Sequence, residues 1–213
     1  MVIFMTKKER YFKIKELLDA EYSEAECTLD YTKPHELLIS TILAAQCTDA
    51  RVNIVTKTLY NKYRTVEDFA NANYDELCND IKSTGFFRNK AKNIIECCRK
   101  LIDEFGGEVP DTLEELVTLA GVGRKTAGVV LGDVFDKPSL VIDTHAKRLA
   151  KRMGFTKNTD PYRVELDLAK IVPVKDRSVF CHQLVYHGRA VCDSRKPLCE
   201  KCVLNEYCLK NIK

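Results

Sequence analysis

Leu119-Ala120-Gly121-Val122-Gly123-Arg124-Lys125-Thr126-Ala127 is the stretch on which the fold turns. Two glycines bracket one apolar residue, which permits a sharp reversal with backbone N–H groups facing outward. Before it, Leu113, Leu116, Val117 and Ala120 recur at i, i+3, i+4 and i+7, the stripe of an amphipathic helix. After it, Arg124 and Lys125 open a second helical pattern. The result is a helix–hairpin–helix, in which Gly121, Val122 and Gly123 join the second helix's N-terminus to seat a phosphate oxygen. A lone Gly-x-Gly carries little weight. Flanking helices and an immediate Arg-Lys pair point to sequence-independent binding of a DNA backbone, against the blander reading of a glycine-rich connection without a ligand.

Working outward, helix start signals recur. Asp111 with Glu114, Thr65 with Asp68, and Asn73 with Glu76 have capping-box spacing, and Asp160-Pro161 sets a capping residue before a first-turn proline. Turn residues punctuate at Lys33-Pro34, Gly106-Gly107, Val109-Pro110 and Lys137-Pro138. Sustained alternation of apolar and polar residues is absent, so the fold class is all-α. The 213 residues suffice for one large domain or two small ones, and 45% hydrophobic with 31% charged residues is ordinary for a globular chain. No stretch approaches the roughly 20 apolar residues of a membrane span. Met1–Met5 places its apolar residues before its charges, the wrong order for a secretory signal. The expectation is a cytoplasmic protein, nucleoid-associated in a bacterium. A formal net charge of +3 permits a nucleic-acid partner without demanding one.

Ten cysteines in a chain without a secretory signal argue against a disulfide scaffold. Four of them, Cys192, Cys199, Cys202 and Cys208, are spaced C-x6-C-x2-C-x5-C. Four soft ligands in one short segment can close around a cubane iron–sulfur cluster. Zinc also accepts four thiolates but is usually held by two C-x2-C pairs, and only Cys199/Cys202 is such a pair. Spacing alone puts the cluster ahead of zinc without excluding it. The other six cysteines read as small core residues. Arg195 and Lys196 lie between the first two candidate ligands, where a pinned loop presents them to a phosphate backbone. Lys147, Arg148, Lys151 and Arg152 fall on one helix face and read as a second strip of DNA-facing charge.

Three motifs now stand in register. Leu119–Leu131, "LAGVGRKTAGVVL", resembles the helix–hairpin–helix of the endonuclease III family; Val141–His145, "VIDTH", resembles that family's Val-Asp-Thr-His segment; and the four cysteines match its [4Fe-4S] ligands. The likeness runs from about Ile14 to Cys208. It departs from the family's pattern at Ala120, where proline is usual, at Gly128, where asparagine is common, and at Ala146, where a β-branched residue is common.

The resemblance implies a base-excision repair DNA glycosylase that also acts as an abasic-site lyase. Its partner is double-stranded DNA carrying oxidised pyrimidines or abasic sites, and it works as a monomer. It implies two helical lobes, residues 27–137 with the hairpin and residues 1–26 plus 138–213 with the cluster, and a DNA groove between them. It makes Lys125 the nucleophile, since helix end, Arg124 and hairpin amides surround that amine with positive potential and ease loss of its proton. Asp143 becomes the assisting carboxylate, although a helix N-cap explains an aspartate there equally well. His145 shapes the site. Gln46 matches the residue that fills the gap left by an extruded nucleotide, and Phe86 the apolar wedge, though Phe87 beside it competes for that place. Two readings stay open: a monofunctional mismatch glycosylase, which lacks a lysine at the position of Lys125, and a non-catalytic hairpin module that binds DNA without a covalent intermediate.

Overall fold

The computed structural model describes residues 5–212, and no strand occurs among them. The helices, in chain order, are α1 (Lys7–Glu21), α2 (Pro34–Leu43), α3 (Asp49–Lys62), α4 (Val66–Ala70), α5 (Tyr74–Asp80), α6 (Phe87–Phe105), α7 (Leu113–Leu116), α8 (Arg124–Val134), α9 (Thr144–Arg152), α10 (Pro161–Ala169) and α11 (Arg177–Ala190). They divide into two compact units, Cys27–Lys137 and Met1–Glu26 with Pro138–Lys213. The expected lobes' residues 1–4 and 213 lie outside the described residues. No described helix is long and apolar enough to cross a membrane.

In the unit Cys27–Lys137, α6 is the central element. Its Ala91, Ile94, Ile95, Cys97, Cys98 and Leu101 recur at helical spacing and are all buried. They pack with Leu37, Leu38 and Leu43 of α2, Phe69 of α4, and Val130 and Leu131 of α8 in one apolar cluster. Each large side chain so buried contributes about 1.5–3 kcal/mol relative to exposure. Gly106 ends α6 in a left-handed conformation (φ 62°), and the Gly107 amide donates to Leu101 O at 2.9 Å. Thr65 and Asp68 form the expected capping box, and Asn73 caps α5. Near the hairpin the cap lies one residue later than the spacing suggested: Thr112 accepts from the Glu115 amide, not Asp111 from Glu114. The stripe from Leu113 to Ala120 also spans a shorter helix than expected. α7 closes after Leu116, and Val117 faces solvent because the chain already turns toward Gly121.

In the other unit, α1, α9, α10 and α11 enclose Tyr11, Ile14, Leu18, Leu149, Phe155 and Phe180. The Tyr11 and Phe180 rings meet edge-on at 5.2 Å. A Thr6/Glu9 capping box opens α1, and Asp160 with Pro161 opens α10. Gly154 follows α9 at φ 80°, a left-handed conformation that favours glycine, and a Cβ there would meet the Leu209 side chain.

Candidate nucleic-acid interface and metal centre

Between α7 and α8 the two glycines do different work. Gly121 is left-handed (φ 77°), whereas Gly123 is extended (φ −97°, ψ 176°) and serves as the N-cap of α8. Gly123 has no side chain with which to cap α8, the arrangement in which first-turn amides can receive an anion. Val122 sits differently from the outward-facing hairpin expected. Its side chain is 6% exposed within the core, and its amide donates to Leu119 O at 3.1 Å. It anchors the hairpin from beneath. Arg124 and Lys125 are exposed in the first turn of α8.

Gln46 and Phe86 lie in the same unit, in the turns before α3 and α6. Both are exposed non-glycine residues with positive φ, 55° and 47°. A left-handed conformation costs about 1–2 kcal/mol for such residues and persists only where surroundings enforce it. The adjacent phenylalanines differ in burial. Phe86 is 62% exposed, while Phe87 packs against the core cluster.

Asp143 is the N-cap of α9, its Oδ1 accepting from the Ala146 amide at 2.7 Å. That bond holds one carboxylate oxygen in place. His145 Nδ1 lies 3.1 Å from the Arg148 guanidinium, and Gly188 lets the ring approach: a Cβ there would stand 2.5 Å from Nδ1. Sequence alone offered no signal for Gly188. Lys147 is half-buried, and Arg195 and Lys196 are exposed, their amides held by the Asp193 carboxylate at 2.8 and 3.1 Å.

The strip of DNA-facing charge on α9 needs correction. Arg152 is 6% exposed and donates to Cys192 O, Cys192 Sγ, Asp193 O and Ser194 O at 2.6–3.2 Å. Arg148 likewise reaches Cys192 O and Gly188 O. Spacing showed that the four cations share a helix, but not that the 192–194 backbone would present carbonyls to two of them. A buried guanidinium demands such acceptors.

These arginines secure one wall of a partly open pocket lined by Cys192, Cys199, Cys202 and Cys208 with Leu149, Met153 and Leu204. Among the described residues no three His, Cys, Asp or Glu side chains gather to hold a single metal ion. All four cysteines line this one pocket, as the ligands of a single [4Fe-4S] cluster must. Sulfur-directed hydrogen bonds fit the same donor set. Arg152 reaches Cys192 Sγ at 3.2 Å, the Lys210 amide reaches Cys208 Sγ at 3.4 Å, and His187 Nε2 lies 3.3 Å from Cys202 Sγ. Burial pushes the His187 imidazole down to about 4, so the ring is neutral and can receive Tyr22 OH at Nδ1 while turning Nε2–H to sulfur. Burial also pushes the Cys202 thiol up to about 11 and the Cys208 thiol upward, so thiolate ligation there displaces protons. The remaining six cysteines are buried or half-buried, as core residues should be.

Comparison with known proteins places these features together. Residues 39–174 match the model of the HhH-GPD superfamily base excision DNA repair protein, and residues 192–208 match that of the iron–sulfur binding domain of endonuclease III. The chain is 51% identical to endonuclease III of Synechocystis sp. over 204 residues, covering 95% of this chain and 93% of that protein. It is 46% identical to endonuclease III of Bacillus subtilis over 188 residues, 88% and 86% of the two chains. A solved non-covalent endonuclease III–DNA complex superposes with a TM-score of 0.92 at 41% identity, covering 97% of each chain.

Proposed function

Because the chain belongs to the endonuclease III family of helix–hairpin–helix base-excision enzymes, we propose that it releases oxidised pyrimidines from double-stranded DNA and cleaves the resulting abasic strand, with Lys125 as nucleophile. The observation that carries the assignment is the place of that lysine. It stands exposed in the first turn of α8, beside an N-terminus with no side-chain cap. The hairpin amides take a phosphate oxygen there, which brings the sugar next to the amine without reading sequence.

In the proposed reaction the neutral Lys125 amine attacks C1′ of the damaged nucleotide, and the base departs with the glycosidic electron pair and is protonated by water. The C1′–O4′ bond then opens, O4′ takes a proton, and an iminium links C1′ to Nζ. Loss of a C2′ proton expels the 3′ phosphate, and water returns the free amine. Asp143, held ready at the start of α9, accepts the proton that Lys125 must lose and stabilises positive charge on the sugar. Its capping bond uses one oxygen and leaves the other available, so the two roles coexist. Gln46 and Phe86 enter the stack when the nucleotide leaves it. Lys147, Arg195 and Lys196 contact phosphates, and His145 braces Arg148.

Cys192, Cys199, Cys202 and Cys208 hold the [4Fe-4S] cluster, which when bound cross-links the 192–208 segment and so fixes the loop bearing Arg195 and Lys196. The test is direct: purified protein is incubated with duplex DNA containing one thymine glycol, and both products are followed. Release of the base together with strand cleavage supports the assignment. Base release with an intact abasic strand supports the monofunctional alternative instead.

A further inference from the structure

Lys90 is the most deeply buried ammonium in the unit Cys27–Lys137 that its chemistry leaves unexplained, at 4% exposure near the start of α6. Its Nζ donates to Leu43 O at 2.7 Å and to Thr84 O at 2.8 Å, while its own amide donates to Phe86 O at 3.1 Å. Leu43 is the last residue of α2, three before Gln46. Thr84 ends the 3-10 turn Lys82–Thr84, two before Phe86. One side chain therefore joins the C-terminal carbonyls of two elements, where a cation is favoured. Just beyond each junction stands an exposed, left-handed, non-glycine residue. Burial pulls the Lys90 ammonium below its ordinary range, the sign of a cation kept in the interior against its desolvation cost.

A packing role alone is met more cheaply by leucine or methionine, which bring no buried charge. What an ammonium adds is a tether between two turns that share no backbone hydrogen bond with each other among those the structure shows. We propose that Lys90 is a positioning residue for lesion extrusion: by clasping Leu43 O and Thr84 O it fixes the Gln46 turn and the Phe86 turn as one rigid pair, so both side chains enter the base stack together. The inference rests on the reading of Gln46 and Phe86 as gap-filling residues given above. Lys90 touches no substrate and acts only through them. Rigid presentation matters because displacement of positioning groups by about 1 Å costs on the order of a hundredfold in rate.

The test compares two substrates in Lys90→Met, whose thermal unfolding and cluster absorbance are first matched to wild type. One is a thymine-glycol duplex, read as single-turnover base release; the other is a single-stranded oligonucleotide with a ready-made abasic site, read as borohydride trapping, where no base pair is opened and no gap is filled. We expect duplex excision to fall about ten- to a hundredfold and trapping to stay within about twofold. Equal losses on both substrates mark a general structural role and overturn the proposal. Gln46→Ala and Phe86→Ala are measured alongside. If each slows duplex excision while Lys90→Met does not, the proposal falls and the gap-filling reading stands; if neither slows it, that reading itself fails. Should Lys90→Met not fold, the double substitution Gln46→Ala/Phe86→Ala in an otherwise wild-type chain decides. A combined loss well below the product of the single losses supports a rigid pair, and a strictly multiplicative loss overturns it.

Discussion

Substituting each hairpin glycine by alanine separates what the backbone needs from what DNA needs. At Gly121 the φ of 77° places alanine in the left-handed region, costing about 1–2 kcal/mol. The new Cβ would also stand 2.9 Å from Asn93 Cβ. Asn93 belongs to α6, so its Cβ moves only if the helix moves; overpacking of this kind costs about 1–3 kcal/mol. Reduced freedom of the unfolded chain returns about 0.4–1 kcal/mol. The net loss is about 1–4 kcal/mol, a fall in Tm of roughly 3–12 °C for a chain of this size. At Gly123 the backbone is extended and nothing lies within 4 Å of an added Cβ, so the reduced freedom of the unfolded chain roughly offsets the poorer N-cap that alanine makes, and Gly123→Ala should shift Tm by no more than about 2 °C. Its methyl group instead stands beside the α8 amides, and loss of one amide–phosphate bond weakens DNA binding about tenfold. Thermal unfolding followed at 222 nm and fluorescence anisotropy with an undamaged duplex measure the two effects. Equal destabilisation by both substitutions, or a Gly123→Ala protein that binds DNA normally, would refute this division of labour.

Other consequences are equally open to measurement. Arg152→Met removes the donors that hold Cys192 O, Asp193 O and Ser194 O; we expect less than half the wild-type iron per chain and a loss of about 3 kcal/mol or more in stability, read by iron assay and thermal unfolding. Asp143→Asn keeps an N-cap and should stay within about 0.5 kcal/mol of wild type, yet lose about a hundredfold or more in single-turnover base excision; Asp143→Ala should lose about 1 kcal/mol in stability as well. His35, at the start of α2 among Lys33, Glu36, Glu67 and the Arg64 backbone, has its imidazole pulled below its usual range chiefly by burial. The folded chain therefore prefers the neutral ring. Its contribution to stability is present above about pH 6.5 and is lost as pH falls through the lower folded value. Urea unfolding of His35→Gln should accordingly show a shallower decline between pH 6.5 and 5 than wild type.

The parts of the molecule that sequence disclosed most readily are those governed by local rules. Helix starts at Thr65, Asn73 and Asp160 follow from side chains that cap their own next turn, and the all-helical class follows from periodicity. The cysteine spacing is equally local, because four ligands within one short segment need no long-range fold to bring them near. What stayed hidden depends on partners distant in sequence. Arg148 and Arg152 look like free cations until the carbonyls of Cys192, Asp193 and Ser194 arrive from some forty residues away to accept them. Lys90 drew no notice in the sequence, because Leu43 O, which accepts from it, lies 47 residues earlier. The hairpin's amides were expected to face outward, but the Val122 amide turns back to Leu119 O, 3.1 Å away. Phe86 and Phe87 have the same chemistry, and only the left-handed backbone at Phe86 decides which one faces solvent.

Covalent trapping reads out the Lys125 nucleophile itself. Wild-type protein and Lys125→Gln are mixed with duplex DNA carrying one thymine glycol in the presence of borohydride and resolved on a denaturing gel. The account predicts a covalent protein–DNA adduct with wild type and none with Lys125→Gln, while both bind the duplex and carry the same iron. An adduct that persists in Lys125→Gln would move the nucleophile to another amine and contradict the assignment of the site.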